Sequence, residues 1–365
     1  MLKIFRSWID RYFSDEEAVL LVVLIAASLV VLLTMGMVLA PMIAGIIIAF
    51  LMQGVVVRLR EWGAPHWLAV TLTFILLVAM LASILLILLP VIWQQSARFL
   101  AEMPRMLGEW QEILLLLPEN YPKLVTHAQV EDLMSATTAE LGRLGQGLVS
   151  FSVSSLPMLV AVLVYFVLVP ILVFFFLKDS TLIVNWVAGF LPHKRPVMSK
   201  IWHEMNQQIA NYVRGKAIEI LIVGAASYVV FALLGVNYAV LLAIAVGLSV
   251  VIPYIGAAVV TLPVAMIGFF QWGWSSEFFY LMLAYGVIQA LDGNVLVPLL
   301  FSEAVNLHPV AIIMAVLVFG GLWGFWGVFF AIPLATLVKA ILYAWPIGVH
   351  EANMASSGGD TAEQD

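Results

Sequence analysis

The chain has 365 residues, of which 64% are hydrophobic and 10% charged, with a net charge of −6 and no cysteine. Soluble domains are about 45–50% apolar and about 25% charged, so this composition excludes a soluble globular fold for most of the chain. The lack of cysteine excludes disulfides, thiolate metal ligands and cysteine nucleophiles, and the acidic balance offers no basic surface to nucleic acid.

The first segment, residues 1–93, predicts three membrane spans. Residues 18–57 contain no charged side chain, and this run exceeds the roughly 20 residues of one crossing. Because proline breaks a helix, Pro41 predicts a tight hairpin of two spans. Residues 67–93 predict the third span, which begins and ends with an interfacial tryptophan.

Residues 94–147 predict a helical hairpin that stands outside the membrane. Apolar residues recur every 3.5 positions after Trp93, which indicates an amphipathic helix that continues the third span outward. Pro104 predicts a kink in it, the proline-flanked stretch 118–122 predicts a turn, and a second helix leads into span four. The two helices pack only on each other or they join subunits, and the sequence leaves both alternatives open.

The next segment, residues 148–216, predicts span four followed by amphipathic helices at the cytoplasmic surface. Residues 182–191 form an interfacial stretch rich in leucine, tryptophan and phenylalanine. A row from Val197 to Tyr212 has helical spacing and is expected to lie along the membrane before turning into it.

Basic residues in short loops predict the orientation, because such residues concentrate on the cytoplasmic side. All three clusters fall on one side of the predicted spans, so the N-terminus is expected in the cytoplasm and the hairpin outside. Residues 217–338 contain no lysine or arginine, which leaves the orientation of the last segments open. The clusters are Lys3, Arg6 and Arg11; Arg58 and Arg60; and Lys178, Lys194, Arg195, Lys200, Arg214 and Lys216.

The core of the C-terminal half, residues 217–345, contains a two-fold internal repeat. Landmarks recur at an offset of 69 or 70 residues, and each copy holds an apolar helix, a Gly/Pro break and another apolar helix. Broken helices leave backbone groups free to meet a solute, so paired breaks point to a transporter site. The alternative is that the glycines only allow close helix packing. The landmarks are Gly235-Val236-Asn237 with Ala304-Val305-Asn306, and Leu262-Pro263 with Ile332-Pro333.

A single acid, Asp292, lies in a long apolar stretch. An ionisable group at membrane depth is a functional hypothesis by default, and such a carboxylate can bind a coupling proton or cation. The alternative is a helix cap or interfacial turn, since Asp-Gly-Asn is also turn chemistry. Glu219 is interpreted as a structural partner of Lys216 or Arg214. The predicted solute or ion pathway comprises Asp292, Gln289, Asn294, Pro253, Gly256, Gly320, Gly321, Gly324 and Gly327.

Three stretches resemble catalytic or nucleotide-binding motifs, but each lacks a residue that its motif requires. Gln207 occupies the second histidine position of a zinc-protease motif, and the stretch at Arg214 lacks the glycine and Ser/Thr of a phosphate-binding loop. Val251 replaces the last glycine of a serine-nucleophile elbow. We therefore expect no enzyme activity, no metal site and no cofactor.

Two blocks carry a resemblance to a known family. The residues from Gln289 to Asn294, then Leu307-His308-Pro309 and the glycines after residue 319, resemble the C-terminal signature of the autoinducer-2 exporter family. Tyr212-Val213-Arg214-Gly215-Lys216 is similar to that family's stretch ahead of span five. Residues 301–306 depart from the Gly-Lys/Arg turn of its quorum-signal exporters, so the substrate does not carry over, and the family's permease subgroup is closer. The resemblance implies about eight spans, a homo-oligomer and export of a small polar solute, with cation/proton antiport in some relatives.

The sequence thus predicts an all-α, polytopic transmembrane helical bundle of about eight spans, with a disordered tail at 346–365. The expected function is a transporter of the bacterial inner membrane that exports a small polar solute. Because no ATP-binding motif is present, transport would use an ion gradient or run downhill. Two alternatives are a non-transporting oligomeric membrane scaffold and a passive channel through the centre of an oligomer.

Overall fold

A computed structural model describes residues 16–120, 135, 156–191, 195–301 and 307–344. All regular elements in these ranges are helices. The second helix of the predicted outer hairpin and the predicted disordered tail lie outside them. The helices are α1 Glu16–Glu61, α2 His66–Ser83, α3 Leu89–Asn120, α4 Leu156–Lys178, α5 Ser180–Ala188, α6 Pro196–Leu233, α7 Ala239–Ser249, α8 Ile255–Trp272, α9 Ser276–Leu291, α10 Val297–Phe301, α11 Pro309–Phe329 and α12 Ala331–Ala344.

The predicted class, an all-α polytopic membrane bundle, is confirmed. Seven helical stretches of the described chain are long and apolar enough to cross a membrane, and an eighth is counted if the bent pair of α4 and α5 forms one span. The seven are Val19–Gly36, Val38–Glu61, His66–Met106, Met198–Leu233, Ile255–Trp272, Ser276–Phe301 and Pro309–Phe329.

The first two candidate spans both lie in α1, and their packing indicates that they are antiparallel arms. A straight helix would hold Leu21 and Leu51 about 45 Å apart. Leu21, however, packs in a cluster with Met205, and Leu51 packs in a cluster with Tyr212, which lies only about 10 Å further along α6. Pro41 lies inside α1, where its missing N–H removes a helical hydrogen bond and favours a bend. This arrangement agrees with the predicted hairpin.

The second arm of α1 packs with α2 and α4 in an N-terminal bundle. Its core consists of fully buried aliphatic side chains, including Val56, Val70 and Val173. His66, at the start of α2, lies 3.3 Å from the carbonyl oxygen of Lys178 at the end of α4. The start of α2 and the end of α4 therefore lie on one side of the bundle, which we name the α5 side.

The third span continues outward without a break. One π-helical turn, Ile84–Leu88, joins α2 to α3, and α3 extends to Asn120. Pro90 is the second residue after this turn and lacks the N–H that would continue the normal hydrogen-bond pattern. The predicted extension of span three is confirmed, and we name the face reached by the outer part of α3 the α3 side.

At the other face, α5 bends away from α4 by 80°. The apolar side chains of Leu182, Trp186 and Phe190 are highly exposed there. A short helix with exposed leucine and aromatic residues at the end of a span fits the membrane interface. This geometry agrees with the predicted interfacial stretch.

Helix α6 corrects one prediction. The row from Val197 to Tyr212 was expected to lie on the membrane surface and then turn, but α6 is one continuous helix from Pro196 to Leu233. Ile201 and Met205 are buried and pack with Ala340 of α12 rather than with lipid. The periodicity identified the apolar face of α6 correctly, but it could not show that another helix, rather than lipid, covers this face.

Helices α7 and α8 form a hairpin whose two ends meet on the α3 side. The Gln271 amide donates to the Gly235 carbonyl and accepts from the Asn237 N–H, each at 2.7 Å. Phe99 of α3 packs edge-on against Tyr238, with ring centroids 5.5 Å apart. The tip, residues 250–254, returns to the depth of Lys216, about 25 Å along α6 from its outer end. The first hairpin therefore enters and leaves on the α3 side.

Helices α11 and α12 form a second hairpin of opposite orientation. Its tip is at Gly324, which has a φ of 58° inside α11. The Tyr212 hydroxyl donates to the Phe329 carbonyl at 2.8 Å, and Ala340 packs with Ile201 near the start of α6. The second hairpin thus enters from the α5 side, and its stem contacts Ile252 at the tip of the first.

The two tips share their backbone geometry. Tyr254 and Gly324 both have a positive φ, 62° and 58°, and they lie 70 positions apart. Gly256 packs so closely on Ser249, and Gly327 on Phe319, that a Cβ at either glycine would collide with backbone. The helix breaks predicted in the C-terminal half are thereby confirmed.

Candidate functional site

A cavity of about 360 Å³ lies where the tip of the first hairpin meets α6, α9, α10 and the second hairpin. Ligand sites in proteins typically have volumes of about 300–1,000 Å³, so the cavity can hold a small solute. It is lined by Tyr212, Lys216, Glu219, Val250, Ile252, Pro253, Tyr254, Ala257, Gln289, Asp292, Gly293, Val297, Phe301, Ile312 and Ile332.

Helix α6 supplies an ion pair to this cavity. Lys216 Nζ donates to Glu219 Oε2 at 2.8 Å, and these side chains are only 4% and 2% exposed. The same Nζ donates to the carbonyl oxygen of Val250 at 2.7 Å. That carbonyl is free because Val250 is the C-cap of α7, and the last carbonyls of a helix have no intrahelical donor. The ammonium therefore joins α6 to the tip of the first hairpin.

Asp292 reaches the cavity from a π-helical turn. It begins the turn Asp292–Leu296, which interrupts the helical stretch between α9 and α10. Such turns occur frequently at functional sites. Its Oδ1 atom is buried and has no hydrogen-bond partner among the described residues, and the same holds for Nε2 of Gln289. An acceptor and a donor are thus left unpaired in one cavity.

The remaining walls are aliphatic and aromatic. Phe301 lies 5.4 Å from Lys216 Nζ, measured to the ring centroid, and its ring packs against Gly215, where an added Cβ would come within 2.7 Å of it. The Tyr212 ring is 5.7 Å from Phe301. The lack of a side chain at Gly215 therefore lets an aromatic ring cover the buried ammonium.

The structure brings some of the predicted pathway residues together and leaves others apart. Asp292, Gln289 and Pro253 line the cavity. Asn294 is exposed and donates to the Ala290 carbonyl at 2.8 Å, outside the lining. Gly256 supports the tip of the first hairpin, and its neighbour Ala257 lines the cavity. The four glycines of the second break lie outside the lining, to which the second hairpin contributes Ile312 and Ile332; these glycines are Gly320, Gly321, Gly324 and Gly327.

The pairing of Glu219 with Lys216 agrees with the sequence interpretation, but sequence reasoning did not place either residue at the cavity. A signal was available, since Tyr212, Lys216 and Glu219 follow one another at spacings of four and three and so share one helix face. In the part of the chain that the structure describes, no cluster of three or more His, Cys, Asp or Glu side chains could hold a metal ion.

The fold and this cavity define a polytopic membrane protein of the transporter class. Comparison with known proteins agrees: the family model described as AI-2E family transporter matches residues 4–347. The chain is 44% identical to "Putative permease PerM" of Escherichia coli K12 over 95% of its length and 99% of the relative's. It is 26% identical to "Putative transport protein YueF" of Bacillus subtilis, with 82% of each chain covered. The chain belongs to the AI-2E family.

Proposed function

We propose that the protein is an inner-membrane transporter that exports a small polar solute through the cavity beside Lys216, Glu219 and Asp292. The observation that carries this proposal is the position of the cavity at the tip of the first hairpin, where that tip meets the stem of a second hairpin that enters from the opposite side. Discontinuous helices that meet near the middle of the bilayer are the usual construction of solute sites in secondary transporters.

The two hairpins supply two routes to the cavity. Displacement of the first hairpin would open the cavity towards the α3 side, because its stem leads there. Displacement of the second would open it towards the α5 side. Movement of one hairpin at a time would give the solute alternating access to the two faces, and Lys216 would hold the first hairpin shut through its bond to the Val250 carbonyl.

Asp292 is the residue we assign to ion coupling. An unpaired carboxylate at mid-membrane costs about 2.5–3.5 kcal/mol on insertion scales, so it is stabilised by a proton or by a bound cation. Because Asp292 shares the cavity with the solute, occupancy by the ion and occupancy by the solute can influence one another. This provides a route by which an ion gradient could drive transport.

The orientation of the protein in the membrane, the direction of transport and the oligomeric assembly rest on other observations. Of the basic residues that the structure describes, those at the ends of α1 and α4 and at the start of α6 lie on the α5 side, namely Arg58, Arg60, Lys178, Arg195 and Lys200. We assign that side to the cytoplasm, together with the N-terminus, as the sequence predicts. The ends of the first hairpin then face outward and α12 ends near the cytoplasm. Export and a homo-oligomeric assembly in the bilayer follow the family resemblance.

Flux measurements test the proposal. The purified full chain in liposomes would be screened with small solutes under imposed proton and sodium gradients. We expect Asp292→Asn to abolish the dependence of flux on the ion gradient without loss of folding. Glu277→Gln is the matched control, because it exchanges an acid for an amide in the same helical stretch, Ser276–Phe301, at an exposed position outside the cavity.

The outcomes separate the candidate functions. Gradient-independent flux in Asp292→Asn, together with normal flux in Glu277→Gln, supports coupling at Asp292. Unchanged gradient dependence in Asp292→Asn would remove that role. A complete absence of solute flux in the unmodified protein would favour the membrane scaffold instead.

A further inference from the structure

We propose that the solute is an organic cation with about ten non-hydrogen atoms, and that it competes with a proton for Asp292. This inference deepens the proposed function and rests on it. It names the charge and the shape of the solute, which the family resemblance leaves open.

The first argument is the charge of the cavity. The titratable side chains that face it are Tyr212, Lys216, Glu219, Tyr254 and Asp292. Lys216 is already paired with Glu219 at 2.8 Å and bonded to the Val250 carbonyl. One ammonium therefore faces two carboxylates. Asp292 forms no ion pair of its own among the described residues, although the Lys216 ammonium also acts on it electrostatically, so the three groups together carry one excess negative charge. A cation would neutralise it, whereas an anion would add to the excess negative charge.

The second argument is the nature of the walls. Aromatic rings attract a cation through their negative faces, and Phe301 already lies beside one ammonium, that of Lys216. The ring of Tyr254 and the aliphatic side chains of Val297 and Ile312 line the same space. Inorganic cations prefer a shell of several oxygens, and in the described residues no group of three or more His, Cys, Asp or Glu side chains could hold a metal ion. An ammonium on an apolar body fits these walls better.

The third argument is the size. A cavity of about 360 Å³ corresponds to roughly a dozen water molecules at about 30 Å³ each. A monovalent metal ion would leave most of it to water. A ligand of about ten non-hydrogen atoms would fill it and would cover the apolar walls.

Competition with a proton follows from the lone carboxylate. The Asp292 carboxylate can accept a proton or pair with the cationic head, and one charge is enough to neutralise it. Binding of one cation would therefore release one proton, and proton binding would release the cation. In the proposed transporter this competition would exchange protons for solute across the membrane.

Three probes of similar shape and different charge test the inference: benzylammonium, benzyl alcohol and benzoate. Their binding to the full chain in lipid nanodiscs would be measured by calorimetry at neutral pH. We expect benzylammonium to bind at least tenfold more tightly than either other probe. We also expect its affinity to fall as the pH is lowered, up to tenfold per pH unit.

Two variants assign the effect to Asp292. Asp292→Asn should abolish the preference for benzylammonium and its pH dependence, whereas Glu277→Gln should keep both. Thermal unfolding of each variant shows whether it is folded, and binding of benzyl alcohol by Asp292→Asn shows that the cavity persists.

Each other outcome overturns the inference. Equal binding of the three probes, a preference for benzoate, or no binding of any probe would exclude a cationic solute of this class. A preference for benzylammonium that does not vary with pH would exclude proton competition. If the binding results exclude a cationic solute but liposomes show flux of other solutes, the proposed transport function still holds. If benzylammonium binds as expected but no solute crosses the membrane, the transport function is wrong and the cation site still holds.

Discussion

Lys216 and Glu219 form a buried ion pair one helical turn apart on α6, and Lys216 also holds the tip of the first hairpin through the Val250 carbonyl. Removal of one partner from a buried pair typically costs about 3–5 kcal/mol, because the other charge is left uncompensated. We therefore expect Lys216→Met and Glu219→Gln each to lower the free energy of unfolding by about this amount. Unfolding by SDS in mixed micelles measures it.

The double variant Lys216→Met/Glu219→Met separates pairing from packing. It should be more stable than either single variant, since neither charge remains unpaired. Lys200→Met is the control, because Lys200 lies on the same helix but is exposed. Additive losses in the double variant would contradict a coupled pair.

The close approaches at the two hairpin tips give a second prediction. Gly256→Ala and Gly327→Ala would each force a methyl group into backbone, and such overpacking typically costs about 1–3 kcal/mol. Gly286→Ala is the control, because Gly286 lies in α9 with open space around it. Alanine there should be neutral or stabilising by up to about 1 kcal/mol. Thermal unfolding midpoints in detergent would rank the three variants, and equal midpoints would argue against tight tips.

Much of the fold was predictable because its determinants are local. The runs of glycine and proline at residues 253–256 and 320–327 marked both hairpin tips, since these residue types have the lowest helix propensities. The course of α6 was not predictable. Its apolar face is covered by α12, more than 100 residues later, and a sequence pattern cannot distinguish that partner from lipid.

The candidate site was predictable only in part, for the same reason. Asp292 was identified because an acid in an apolar run is conspicuous in the sequence itself. The role of Lys216 depends on the carbonyl of Val250, which reaches it only when the first hairpin folds back against α6. The glycines of the second break marked a tip correctly, but the residues of that hairpin that line the cavity are aliphatic.

Tyr254 gives a third prediction, because its φ of 62° is unfavourable for any side chain. Strain of this kind costs about 1–3 kcal/mol, which glycine avoids. Tyr254→Gly should therefore be more stable than Tyr254→Ala by about 1 kcal/mol, after allowance for the entropy of glycine in the unfolded chain. Both variants lose the same ring, so the comparison isolates the backbone.

Tyr228 provides the control for that comparison. It lies within α6 and is exposed, so glycine there should be less stable than alanine by about 1 kcal/mol. Denaturant titration of the four variants would give opposite signs at the two positions. The same sign at both would show that Tyr254 is not strained.

The inverted hairpins give a fourth prediction, which concerns the two faces of the membrane. The chain has no cysteine, so a single introduced cysteine can be labelled without background. Trp62 is 77% exposed between α1 and α2 on the α5 side, and Trp274 is 75% exposed beside the outer ends of the first hairpin. Trp62→Cys should react with an impermeant maleimide only from the cytoplasmic side, and Trp274→Cys only from the outer side. If both cysteines were labelled from the same face, the two loops would not lie on opposite sides of the membrane. The opposite orientation of the two hairpins, on which the proposed transport route depends, would then be wrong.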